Sequence, residues 1–192
     1  MTALGSGGGA LAVVRATETD VLSLPSVSWL GIDAGASAFL NGTLLALGLA
    51  LLALGLSLQP AFAALRSARG LSKPAELLLV AGFAVAGFAV IVAGLFPIED
   101  QATTAVHNAA AFAAPIALVS TILCARLAIA DLGHRFDFIS AAILAGVSGS
   151  FAAALGGHLL PYAVMELICF GLIGGWLWLF EARLRRLLTK VN

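Results

Sequence analysis

The sequence predicts an all-α fold: a polytopic transmembrane helical bundle of about five membrane-spanning helices, N-terminus outside and C-terminus cytoplasmic. Three observations lead there. The chain of 192 residues is 61% hydrophobic and only 10% charged. Its apolar residues gather into five long stretches. The Lys and Arg residues fall in alternate connections between those stretches.

The composition comes first because it sets the solvent. A soluble domain carries about 25% charged residues. With 10% charged and a mean hydropathy of +1.06, this chain cannot cover itself with a water-facing surface. Its formal net charge is +0, and no long basic tract occurs. That leaves no electrostatic footprint for nucleic acid.

The stretches run Ser37–Leu58, Ala75–Leu95, Thr104–Ala125, Phe138–Gly156 and Pro161–Phe180. Each approaches the ~20 residues that cross ~30 Å of hydrocarbon. Helix follows, because backbone groups in lipid must find partners within their own segment. Three regions result: an outward, partly interfacial N-terminal tail over 1–35, the bundle over 36–182, and a basic cytoplasmic tail over 183–192.

Orientation follows from counting Lys and Arg. Arg66, Arg69 and Lys73 lie after the first span, Arg126 and Arg135 after the third, and Arg183, Arg185, Arg186 and Lys190 after the fifth. These face the cytoplasm. The Glu99-Asp100 loop and the Gly156-Gly157-His158 turn carry no Lys or Arg and face outward. The cell membrane, and a bacterial inner membrane in particular, is the expected location. No Lys or Arg precedes Arg15, and the apolar run Ala10–Val14 is short, so the N-terminus does not resemble a signal peptide. Within the tail, Val21–Leu30 holds Pro25 and Trp29 and is expected to lie on the outer surface or cap the bundle.

Packing is expected to use small residues. Gly171/Gly175, Gly82/Ala86 and Ala145/Gly149 have the four-residue spacing, and close approach within one molecule is favoured over a dimer seam. Pro115 removes a backbone donor in the third span. Cys124 and Cys169 sit in different apolar segments and read as packing residues, not a disulfide.

Polar groups inside a membrane are costly and therefore functional suspects. Asn41, His107, Asn108, His158, Tyr162 and Glu166 all fall in the outer third, with Glu99 and Asp100 on the same side from a loop. Tyr162 and Glu166 are four residues apart and share a helix face. Glu166 is placed to accept from Tyr162 or His107. Each group also has a plainer reading as a cap, a headgroup contact or an interhelical hydrogen bond. His134, beside Arg135 and Asp137, reads as a solvated loop. The HExxH, CxxC, GxSxG and phosphate-loop patterns are missing.

Gly94-Leu95-Phe96-Pro97, followed by His107-Asn108 at the head of a helix, resembles the family called domain of unknown function 998. Leu30-Gly31 and Asn41-Gly42-Thr43-Leu44 also resemble it, and the similarity spans about residues 27–180. A more distant similarity is to damage-regulated autophagy modulator-like membrane proteins. The resemblance implies a bacterial six-helix membrane protein without an agreed activity. This chain departs from it in showing five spans, which puts a swapped or partner-supplied helix in view.

Two function classes remain from the residues. In the first, the bundle is a binding or accessory protein that holds a lipid or apolar ligand, or packs beside a partner membrane subunit. In the second, it is a haem-binding redox protein through His107 and His158, or a lipid-headgroup enzyme with His107 and Glu166 as acid and base. A transporter ranks last, because no matching pair of broken helices occurs.

Overall fold

The computed structural model describes residues 27, 34–129, 132–156 and 159–189. These residues form five helices and no strand: α1 (Ala34–Arg69), α2 (Lys73–Leu95), α3 (Gln101–Ala128), α4 (His134–Leu155) and α5 (Tyr162–Leu188). All five are long and apolar enough to cross a membrane. The all-helical membrane fold expected from the sequence is the one observed.

Two helices outrun their predicted spans. α1 continues through Pro60 to Arg69, and α5 continues to Leu188. Arg183, Arg185 and Arg186, read from the sequence as tail, therefore stand on the last turns of α5. There Arg185 pairs with Glu181 one turn back, its Nε 3.2 Å from Oε1. The other boundaries move by no more than four residues. Of the N-terminal tail only Val27 and the residues from 34 onward are described; the rest of the 1–35 region, like Val21–Leu30 apart from Val27, lies outside the described residues.

The turns are built by local chemistry. Gly70 ends α1 at φ +72°, a left-handed conformation that costs glycine little. The chain then folds back, so that Leu71 is buried and Ser72 caps α2, accepting from the Ala75 N–H at 3.3 Å. Arg66 Nε lies 2.8 Å from Glu76 Oε2 across this turn. It is a charge contact more than an aligned hydrogen bond, since Oε2 has no partner in hydrogen-bond geometry. With Arg66 about half exposed, the contact is worth roughly 1 kcal/mol or less. At the other end of α2, Asp100 and Thr103 form a reciprocal capping box that starts α3.

Helices α1, α2 and α3 pack side by side as an antiparallel group, and α4 pairs with α5. The α1–α2 contact is the closest approach. A Cβ added to Gly48 would stand 2.6 Å from the Gly87 carbonyl, and one on Gly87 would stand 2.7 Å from that of Gly48. Thus α1 and α2 touch backbone to backbone, which lipid-embedded helices achieve through small residues. Gly82 of α2 plays a similar part against Thr121 of α3, as its small-residue spacing predicts. Gly149, Gly171 and Gly175 do not: a Cβ on any of them meets nothing within 4 Å. The expected close packing through the α5 pair inside the molecule is thus absent, because that face of α5 turns away from the bundle.

The two groups meet through aromatic rings. Phe180 of α5 contacts Phe62 of α1, Phe83 of α2, Phe136 of α4 and Trp176 of its own helix. Trp176 donates its indole N–H to the fully buried Ser140 hydroxyl of α4 at 2.9 Å. Phe112 of α3 meets Phe151 of α4. Outside, large apolar residues such as Leu49, Phe88, Phe138 and Trp178 are exposed, as a lipid-facing surface requires.

The glycine contacts yield a paired prediction. Gly48→Ala lowers thermal stability in detergent, because neither backbone can give way without separating α1 from α2. Gly175→Ala leaves stability unchanged or raises it by up to about 1 kcal/mol through helix propensity. Equal losses at both positions, measured by thermal unfolding, would contradict the assigned contact.

Candidate functional site

All the sequence-predicted polar residues that are described lie toward one end of the bundle, opposite the Arg66 and Arg185 end, but they form two groups. The first is the joint where α2 ends and α3 begins. Pro97 lies four residues after Ala93, where a helix would supply the N–H for the Ala93 carbonyl, and proline has none. His107, buried on the second turn of α3, fills the gap. Its Nδ1 lies 2.9 Å from the Ala93 carbonyl and 3.0 Å from that of Phe96. Both partners are acceptors, so Nδ1 carries the proton and donates to them. Nε2 is buried and has no hydrogen-bond partner among the described residues. Asn41 of α1 is half-buried at the same level, its backbone carbonyl 3.1 Å from where a Cβ on Gly94 would stand. Asn108, next to His107 in sequence, is exposed.

The second group belongs to α5. Glu166 is half-buried on the second turn and accepts a 2.6 Å hydrogen bond from the backbone N–H of Val27. Val27 is itself buried. Tyr162, one turn earlier, is half-buried and packs against the core. One turn later, the Cys169 thiol lies 3.4 Å from the buried Ser150 hydroxyl of α4. Cys124 is on α3 and Cys169 on α5; both are free thiols.

These two groups do not assemble an acid–base pair. Among the described residues, the hydrogen-bond partners of His107 are the carbonyls of α2 and the turn, and that of Glu166 is Val27. Helices α3 and α5 are not packed along one another. Nor does the arrangement fit a haem at His107. The Nε2 that would face iron is already covered by protein. His158, the second ligand of that reading, lies outside the described residues. No cluster of three or more metal-ligating side chains occurs among the described residues.

Glu99 is an exposed charge, and Asp100, though exposed, also caps a helix. The Thr103 backbone N–H and then its hydroxyl hold the Asp100 carboxyl below the ordinary aspartate value. The Val27 amide and the Ser140 and Ser150 hydroxyls were not picked out from the sequence. Only the Ala93 carbonyl had left a sign there, through Pro97.

No family model matches this chain, and neither a curated protein nor a solved structure matches it.

Two outcomes follow. His107→Ala leaves the Ala93 carbonyl without a donor and destabilises by about 1–3 kcal/mol. In a Pro97→Ala background, which restores a backbone N–H, the loss shrinks; an unchanged loss in the double-mutant cycle would show that the two residues do not share this carbonyl. Asp100 has a lowered value in the folded chain, so its cap is fully present above the ordinary aspartate range and is lost as pH falls through the folded value. Hydrogen-exchange protection of the Thr103 amide should fall with it, and Asp100→Asn should remove that pH response.

Proposed function

We propose that the chain is a multi-pass protein of the cell membrane, in a bacterial inner membrane, that acts as a binding or accessory bundle. It holds a lipid or other apolar ligand, or packs beside a partner subunit, through the polar end that carries Asn41, His107, Tyr162 and Glu166. The observation that carries this reading is how the two strongest polar groups are used. His107 and Glu166 each bond a backbone group and not one another. Such groups organise an end of the bundle; they are not set against each other for proton transfer.

The proposed orientation puts that end outside. It is supported by Arg66, Arg69, Lys73, Arg126, Arg135, Arg183, Arg185 and Arg186, all at the opposite end. The resemblance to the domain of unknown function 998 family stays part of the proposal. In its favour, the residues that carry it, Gly94 to Pro97 and His107, work as one structural joint.

The test is native mass spectrometry of the protein purified in mild detergent, with an absorption spectrum of the same sample. A colourless protein that retains a specific lipid or a second polypeptide is the expected result. A colourless monomer carrying neither would overturn the binding reading, and a haem band lost in His107→Ala would replace it with the redox one.

A further inference from the structure

The turn between α1 and α2 lies at the end of the bundle opposite His107 and Glu166, and every residue of it is described. Arg66 and Arg69 stand on the last turn of α1, and Lys73 opens α2. All three are exposed. We propose that this turn binds the headgroup of an anionic phospholipid, whose acyl chains lie along the exposed apolar face of α2. The site is separate from the polar end of the bundle and does not rest on the reading given to that end.

The cations are held on a defined frame. Gly70 turns the chain at φ +72°, Leu71 is buried with its N–H on the Leu65 carbonyl, and Ser72 caps α2. Pro74 follows in the first turn of α2. A site set in advance loses little freedom on binding. Glu76 lies 2.8 Å from Arg66 Nε and anchors that guanidinium at the turn. A guanidinium has five N–H donors, more than one carboxylate can take up. Lys73 has no ion-pair partner among the described residues.

Three cations face one carboxylate here, so the turn is net positive. The other carboxylates described at this end are placed elsewhere. Glu181 pairs with Arg185 on α5, and Asp137 stands in the first turn of α4, which does not pack along α1 or α2. Lys73 and the Arg66–Glu76 contact stand where the apolar run Ala75–Leu95 begins. Basic groups at that level meet the phosphates of the bilayer. Below Lys73, the side chains of Leu77, Leu78, Val85 and Phe88 are exposed along α2. Leu77 is four residues from Lys73 and shares its face. The head and the chains of one lipid thus find a charged surface and an apolar one in line. A zwitterionic headgroup would bring its own ammonium into the same positive field, so the site prefers a lipid of net negative charge.

The experiment uses the full chain in nanodiscs of phosphatidylcholine and phosphatidylglycerol in equal parts, released for native mass spectrometry. The expected result is bound lipid enriched in phosphatidylglycerol. Lys73→Gln removes an exposed charge without touching the Arg66–Glu76 contact, and it should cut that enrichment about fivefold. Arg66→Gln should cut it as well, and the Lys73→Gln comparison stands even if that variant fails to fold. The control is Arg186→Gln, which removes one charge at the same end from α5. A fall in Arg186→Gln as large as in Lys73→Gln would overturn the site, because the attraction would then belong to the whole surface. So would equal retention of the two lipids by the native chain, or displacement of phosphatidylglycerol by soluble glycerol phosphate. Enrichment that Lys73→Gln leaves intact would also overturn it, and would assign the lipid to the opposite end of the bundle.

Discussion

The bundle depends on Phe180. Inside a bilayer, apolar surface is no better off against protein than against lipid, so the hydrophobic effect does not press helices together. What remains is shape and specific contact. Phe180 touches rings from α1, α2 and α4 and stacks on Trp176, with ring centroids 4.8 Å apart and planes 9° from parallel. Four of the five helices therefore meet at one side chain. Trp176 is fixed in turn by the Ser140 hydroxyl, which gives the stack an orientation as well as a place.

Around that hub the molecule uses two kinds of interface. Between α1 and α2 the backbones themselves touch, and glycine is required. Between the α1–α3 group and the α4–α5 pair, rings fill the space. The polar residues are spent on a third task, which is to supply backbone groups that the helices leave open. His107 serves the Ala93 carbonyl that Pro97 orphans, and Glu166 serves the amide of Val27.

The helices were legible in the sequence because crossing a membrane demands length and apolarity together. Their ends were less so. Gln59-Pro60 reads as a break in hydropathy, yet α1 runs on, and α5 stays helical past Glu181, which pairs with Arg185, where charge suggested a tail. His107 and Glu166 stood out as costly polar groups, but their partners did not. A backbone carbonyl or amide has no letter of its own. Such a partner shows in a sequence only where a proline removes its usual mate, as Pro97 does for Ala93. The small-residue spacing was legible as a pattern and misleading as a location, since periodicity does not say which face of α5 points inward.

The length of α1 bears on the bilayer itself. Its 36 residues extend roughly 54 Å at 1.5 Å each, against about 30 Å of hydrocarbon. A rod of that length must lean, or emerge from one surface, wherever it is embedded. Leaning is not free for α1 alone, because the Gly48–Gly87 contact obliges α2 to lean with it. Mismatch costs only fractions of a kcal/mol per ångström. Tilt is set by packing against neighbouring helices and by interfacial anchors. The Gly48–Gly87 contact therefore makes α1 and α2 share one inclination whatever the thickness of the surrounding membrane.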